Sequence, residues 1–253
     1  MACLLSRRGR GITLLPPPPP LLLQDGVGAV AVRGWYWYRP RHMTTVLLLV
    51  DGRPQDKHSQ HPQLLPIVHA ASRGILHTGA QVRLFGLADS ADSRAALANA
   101  EIRELPGDTD ELAEICTDLD AVMLCGATIR GAMTGTVFQA LERLASLPGT
   151  GPLVGKVGSV FTCTTGNGVG GHEAALSAVH SSLLSCGALV CGVLPSSQLQ
   201  ILHAATPLGV VLSPGAGKEQ HDAACAAAAQ QGQHVADVAA KLKLASVVAN
   251  LRS

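Results

Sequence analysis

Residues 159–173 read Ser-Val-Phe-Thr-Cys-Thr-Thr-Gly-Asn-Gly-Val-Gly-Gly-His-Glu, and Gly166, Gly168 and Gly171 within them form a literal G-x-G-x-x-G. Such a loop can cradle a dinucleotide pyrophosphate, but that role needs the first strand-to-helix turn and an acid about twenty residues on for the ribose. The next acid after Glu173 is Glu219, so the dinucleotide reading is excluded. What remains is a run of backbone N–H groups that can approach a flat polar ring without side chains in the way. A second stretch, Gly-Ala-Thr-Ile-Arg-Gly-Ala-Met-Thr-Gly at 126–135, offers a hydroxyl and a cation of the kind that would border such a ring. His172 and Glu173 could form a base pair for proton transfer, yet a Glu in a first helical turn is explained by the helix dipole alone. The ten His show no HxxxH or HExxH spacing, which argues against a metal. The seven Cys contain no CxxC and read as free thiols in a reducing compartment. Cys163 and Cys186 either border the same cleft or pack as small hydrophobes.

Short apolar runs without alternation, at 46–50, 81–87, 121–125, 157–163 and 188–193, have the pattern of strands buried on both faces of a parallel sheet. Helical segments are expected between and after them at 64–77, 110–117, 134–147, 172–185 and 218–244. Alternating strands and helices with right-handed crossovers predict an α/β, doubly wound, three-layer fold around a five-stranded parallel sheet. Ligands of such sheets sit beyond the strands' C-terminal ends. Both chemistry-bearing stretches fall there, after the third and fourth strands.

The chain has 253 residues, 47% hydrophobic and 15% charged, with a net charge of +1 that gives no electrostatic footprint for nucleic acid. No apolar run approaches the roughly 20 residues that would make a transmembrane segment. The charge is unevenly shared: residues 1–42 carry six Arg and one acid, Asp25, leaving thirteen bases and seventeen acids to 43–253. Residues 1–42 also hold Pro16 to Pro20 and every Trp and Tyr of the chain. A basic, acid-poor, proline-broken segment does not begin a packed domain, and it reads as a mitochondrial transit peptide. The alternative is that Met43 is the start and the protein is cytoplasmic. Either way, the folded domain is expected over 43–253.

Residues 126–135, Gly155-Lys156, the 159–173 run and the 229–242 segment Ala-Gln-Gln-Gly-Gln-His-Val-Ala-Asp-Val-Ala-Ala-Lys-Leu together resemble the WrbA branch of the flavodoxin-like proteins, over about residues 44–243. The resemblance implies a flavodoxin-like fold and an FMN-dependent NAD(P)H:quinone oxidoreductase that reduces quinones by two electrons. It also implies NAD(P)H as co-substrate and a homo-oligomer, tetramer or dimer. Carried over, the flavin site takes Thr128, Ile129, Arg130, Gly131, Cys163, Thr164, Thr165, Gly166, Asn167, Gly168, Gly170, Gly171 and Cys186. Several positions depart from the family. The phosphate loop is replaced by residues 51–62, Asp-Gly-Arg-Pro-Gln-Asp-Lys-His-Ser-Gln-His-Pro, with two prolines, two acids and one hydroxyl. Arg53, Lys57, His58 and His61 are its available cations. The family's Thr-Arg-Phe becomes Thr128-Ile129-Arg130, its pocket Trp falls on Pro148, and a His falls on Cys186. FMN is therefore expected to be held weakly or lost. A second reading stays open: a flavodoxin-fold protein with a degenerate FMN site, serving as a structural or assembly subunit.

Overall fold

The computed structural model describes residues 43–52, 64–149, 151–164, 170–195, 204–213 and 216–250. Its centre is a sheet in the order β2-β1-β3-β5-β8, built from β1 (Thr45–Asp51), β2 (Gln81–Leu87), β3 (Ala121–Ile129), β5 (Val157–Thr164) and β8 (Gly209–Leu212). Every pairing along that path is parallel. The order reverses direction at β1, which places the ligand crevice at the C-terminal ends of β1 and β3. The expected doubly wound, flavodoxin-like α/β architecture is therefore present.

The strands are buried on both faces because each face is covered by helices. Val46, Leu48, Val50, Met123 and Phe161 meet α1 (Leu64–His77) and the long C-terminal helix α6 (Lys218–Asn250) in one core. Leu47, Leu49, Val122, Leu124 and Val160 meet α3 (Thr109–Cys116), α4 (Gly135–Ala145) and α5 (His172–Ser185) in the other. Residues 46–49 are entirely removed from solvent. The helices α1 and α6 cross in near backbone contact: a Cβ on Gly74 would lie 1.9 Å from the Ala229 carbonyl oxygen, and one on Gly232 would lie 2.4 Å from that of Ala71.

The fifth strand differs from expectation. Only β6 (Leu189–Val190) of residues 188–193 joins the sheet, against Val157 and Gly158, while β8 takes the same edge further up, against Thr162 and Cys163. A short hairpin of β7 (Ala205–Thr206) with β8 returns the chain to the sheet. Close packing at the turn-off explains the break: a Cβ on Gly192 would fall 1.9 Å from the Pro207 carbonyl oxygen. The gap is closed by a side chain. Gln231 of α6, fully buried, donates from Nε2 to the Val160 carbonyl (2.9 Å) and Ser159 Oγ (2.7 Å), and its Oε1 accepts from the Val210 N–H (3.2 Å). An amide side chain thus replaces the missing ladder bonds between β5 and β8, satisfying groups that would otherwise be orphaned.

A further helix, α2 (Ala91–Asn99), was not expected. It buries only Ser93 and Leu97 and so carries no apolar stripe; its start is fixed instead by Ser90, whose side chain accepts from the Ser93 N–H at 3.1 Å. At the opposite edge of the sheet from the crevice, Lys243 Nζ donates to Asp120 Oδ2 and to the Met43 carbonyl, both at 2.7 Å. The Thr45 N–H also reaches Asp120 Oδ2 at 2.9 Å, so this partly buried ion pair ties α6 to the starts of β1 and β3.

Candidate flavin site

At its C-terminal end β3 folds back on itself. Thr128 pairs with Met133 and Ile129 with Ala132 in a hairpin with the two-residue strand β4 (Ala132–Met133). Its two turn residues, Arg130 and Gly131, both have positive φ, 51° and 82°. Positive φ at both positions is the mark of a type I′ turn, whose twist matches antiparallel strands. The second position takes glycine freely; an arginine in the first is strained by about 1 kcal/mol or more. Arg130 and Ile129 are exposed at the tip.

The loop after β5 ends at Gly170 and Gly171, whose φ values are 73° and 83°, and Gly171 is the N-cap of α5. Gly171 has no side chain, so the first N–H groups of α5 receive no cap from their own N-cap residue. The two loops touch through backbone: a Cβ on Gly171 would lie 2.7 Å from Gly131 Cα and 3.2 Å from Gly131 N. In front of Gly170, by contrast, no atom of the described residues stands within 4 Å of where a Cβ would be.

Beneath the hairpin lies a buried hydroxyl chain. Thr162 Oγ1 donates to the Gly126 carbonyl at 2.8 Å and sits 2.7 Å from Thr128 Oγ1. With its one proton given to Gly126, the Thr162 oxygen accepts from Thr128. Thr164 Oγ1 donates to the Leu212 carbonyl at 3.4 Å, joining the end of β5 to β8. Thr162 escaped the sequence reading, although its period-two spacing from Thr164 places both on one face of β5. Asp51, buried at the end of β1, was likewise not singled out as a site residue.

Of the expected site residues, the structure gathers Thr128, Ile129, Arg130, Gly131, Thr164, Gly170 and Gly171 at this one edge. Thr165, Gly166, Asn167 and Gly168 lie outside the described residues, as do Arg53, Lys57, His58 and His61 of the loop after β1. Cys163 adjoins Thr164 but points to the opposite face of the sheet, into the core under α1 and α6. Cys186 is not brought to the site. It caps the far end of α5, about 21 Å along the 14-residue helix from Gly171, beside the start of β6. Within one chain α5 runs back along the sheet from crevice to base, which sets Cys186 apart from these loops. His172 Nδ1 is buried without a hydrogen-bond partner among the described residues, and Glu173 stands exposed in the first turn of α5, where it offsets the helix dipole.

The thiols are held neutral. Burial pushes Cys125 well above the usual thiol range, aided by nearby Cys163 and Asp51. Burial likewise raises Cys116, to about 11, against the opposing effect of Arg83. Cys186, Cys191 and Cys225 are raised by burial as well. A raised thiol pKa disfavours the thiolate, the nucleophilic form, and Cys116, Cys125 and Cys191 are buried as small core side chains.

The donor set suits a flat heterocycle with carbonyls and ring nitrogens. Glycine backbone meets at this edge, the Thr128 and Thr162 hydroxyls lie buried beneath the hairpin, and Arg130 stands exposed at its tip. A doubly wound domain with this edge falls in the flavodoxin-like class. The chain belongs to the NADPH-dependent FMN reductase family, whose profile matches residues 47–204. Among curated relatives, it is 27% identical over 192 residues to a protein of Chromohalobacter salexigens named NAD(P)H dehydrogenase (quinone), covering 73% of this chain and 95% of that one. A protein of the same name from Geotalea daltonii is 35% identical over 142 residues, covering 54% of this chain and 67% of its own. Among solved structures, a flavodoxin, WrbA-like protein from Agrobacterium tumefaciens superposes with a TM-score of 0.47 at 14% identity, covering 78% of this chain and 98% of that one.

Proposed function

We propose that this protein is an FMN-dependent NAD(P)H:quinone oxidoreductase acting at the C-terminal edge of β3 and β5. The observation that carries the reading is the meeting of the β3–β4 hairpin and the glycine end of the β5–α5 loop, backbone to backbone, in a chain of the FMN reductase family. Bound there, FMN would supply a ring that accepts hydride from NAD(P)H and passes two electrons to a quinone. The protein's part is positioning. Thr128, hydrogen-bonded to Thr162, fixes the base of the hairpin beneath the ring. Gly131, Gly170 and Gly171 keep the rim free of side chains. Arg130 sets a positive charge where a nicotinamide phosphate or a quinone oxygen would approach.

Affinity is the point at which this chain departs from the family. Phe85 and Phe161 are buried in the two cores, and Phe138 packs half-buried against the second. Among the described residues, then, no aromatic ring faces the loops. Each absent stacking partner removes about 0.5–1.5 kcal/mol, so FMN is proposed to bind weakly and to need supply in the assay. The same observation favours the second reading, a structural or assembly subunit that has lost the cofactor. A homo-oligomer, tetramer or dimer, is proposed on the family resemblance alone, and mitochondrial residence on the composition of residues 1–42.

Steady-state oxidation of NADH and NADPH by benzoquinone, with FMN raised to saturation, tests the proposal. Turnover that requires added FMN supports the enzyme. Turnover no faster than free FMN alone, with the protein folded, supports the subunit.

A further inference from the structure

We propose that the contact between Gly131 and Gly171 is a latch that holds the hairpin and the β5–α5 loop at the spacing the flavin ring needs, making Gly171 a positioning residue. The inference rests on the flavin reading for its consequence, although the latch itself is a property of the fold.

Gly171 is under two separate constraints. Its φ of 83° disfavours any L side chain, and the volume a Cβ would fill is already taken by Gly131 Cα at 2.7 Å and Gly131 N at 3.2 Å. The neighbour cannot yield like a flexible side chain, since it is backbone in the middle of a two-residue turn pinned on both sides by the Thr128–Met133 and Ile129–Ala132 pairs. A side chain at Gly171 must therefore drive the hairpin tip away from the start of α5. The reverse is not true: a Cβ on Gly131 would stand 3.8 Å from Gly171 Cα, an ordinary contact. An open hairpin would move Thr128, Arg130 and the Gly131 backbone together relative to the α5 N-terminus, spoiling the ring site without touching a ring contact.

The test compares Gly171→Ala with Gly79→Ala in the full chain. Gly79 has a matching φ of 82°, but nothing among the described residues lies within 4 Å of its Cβ position, and it follows α1, away from both loops. The two substitutions share backbone strain and differ in the clash. Two readouts are taken: hydrogen exchange of amides 129–133, and FMN affinity by quenching of flavin fluorescence. Gly171→Ala should speed hairpin exchange at least about tenfold and weaken FMN by a similar factor, with Gly79→Ala changing neither. Should Gly171→Ala fail to fold, native-state exchange of the unmodified protein in low urea replaces it: amides 129–133 of the hairpin and 175–178 of α5 should open together, with one free energy. Unchanged exchange in a folded Gly171→Ala protein, or independent opening of the hairpin and α5 in the unmodified one, overturns the latch. Faster exchange in a protein whose unmodified form shows no FMN binding keeps the latch and sinks the flavin reading instead.

Discussion

Arg130 is a residue at odds with its own backbone. The first position of a type I′ turn favours Asn, Asp or Gly, and a long β-carbon-bearing side chain at φ 51° stores strain of the sort found at functional positions. Replacing it with glycine should raise the thermal midpoint by about 2–4 °C while lowering kcat/KM for quinone reduction, measured by calorimetry and steady-state kinetics. A gain in stability with undiminished turnover would show that the guanidinium does nothing at the site. His180 makes a different demand. It is buried on α5, its Nε2 has no hydrogen-bond partner among the described residues, and burial lowers its pKa below the ordinary 6.5. Because the folded state resists the proton that the unfolded state accepts, the unfolded chain binds more protons between the lowered value and 6.5. Stability from this group is complete above pH 6.5 and declines as pH falls from there toward the lowered value. Urea midpoints measured across that window should fall less steeply in His180→Leu than in the unmodified protein; parallel curves would remove His180 from the account.

At the level of elements, the interrupted fifth strand and its amide bridge form the part of the fold most exposed to single substitutions. Gln231→Leu keeps the volume but orphans the Val210 N–H and leaves the Val160 carbonyl without this donor. At about 1–3 kcal/mol for a buried unsatisfied group, urea unfolding should register a loss of about 2–4 kcal/mol, and a loss below 1 would mean water has taken the amide's place. Gly74→Ala should cost at least as much, because the Ala229 carbonyl oxygen occupies the methyl's place. Element boundaries were readable wherever apolar patterning set them: 64–77, 81–87 and 172–185 coincide with α1, β2 and α5. α2 was not readable, since its start depends on Ser90 and only two of its residues are buried. The run 188–193 looked like a whole strand because local patterning carries no information about the Gly192–Pro207 approach or about Gln231, about forty residues away in sequence. The site was legible as two loops and a face, through Thr128, Arg130 and the glycines. The Gly131–Gly171 contact was not, because it joins residues forty apart.

For the molecule as a whole, the sheet, its two cores and the hairpin-and-glycine rim together amount to one claim: a flavin ring binds at the C-terminal edge of β3 and β5. Among the described residues no helix is long and apolar enough to cross a membrane, and light scattering at micromolar concentration should give a multiple of the 26.1 kDa chain mass, a lone monomer contradicting the proposed assembly. Calorimetric titration with FMN and riboflavin tests the central claim most directly. If backbone contacts to the ring dominate, both ligands should bind, weakly and within about tenfold of one another, since a fully clamped phosphate would add charge-assisted hydrogen bonds of about 1.5–3 kcal/mol each. FMN tighter by a hundredfold would mean that the loop after β1 clamps the phosphate after all, and no heat with either ligand at millimolar concentration would contradict the flavin site itself.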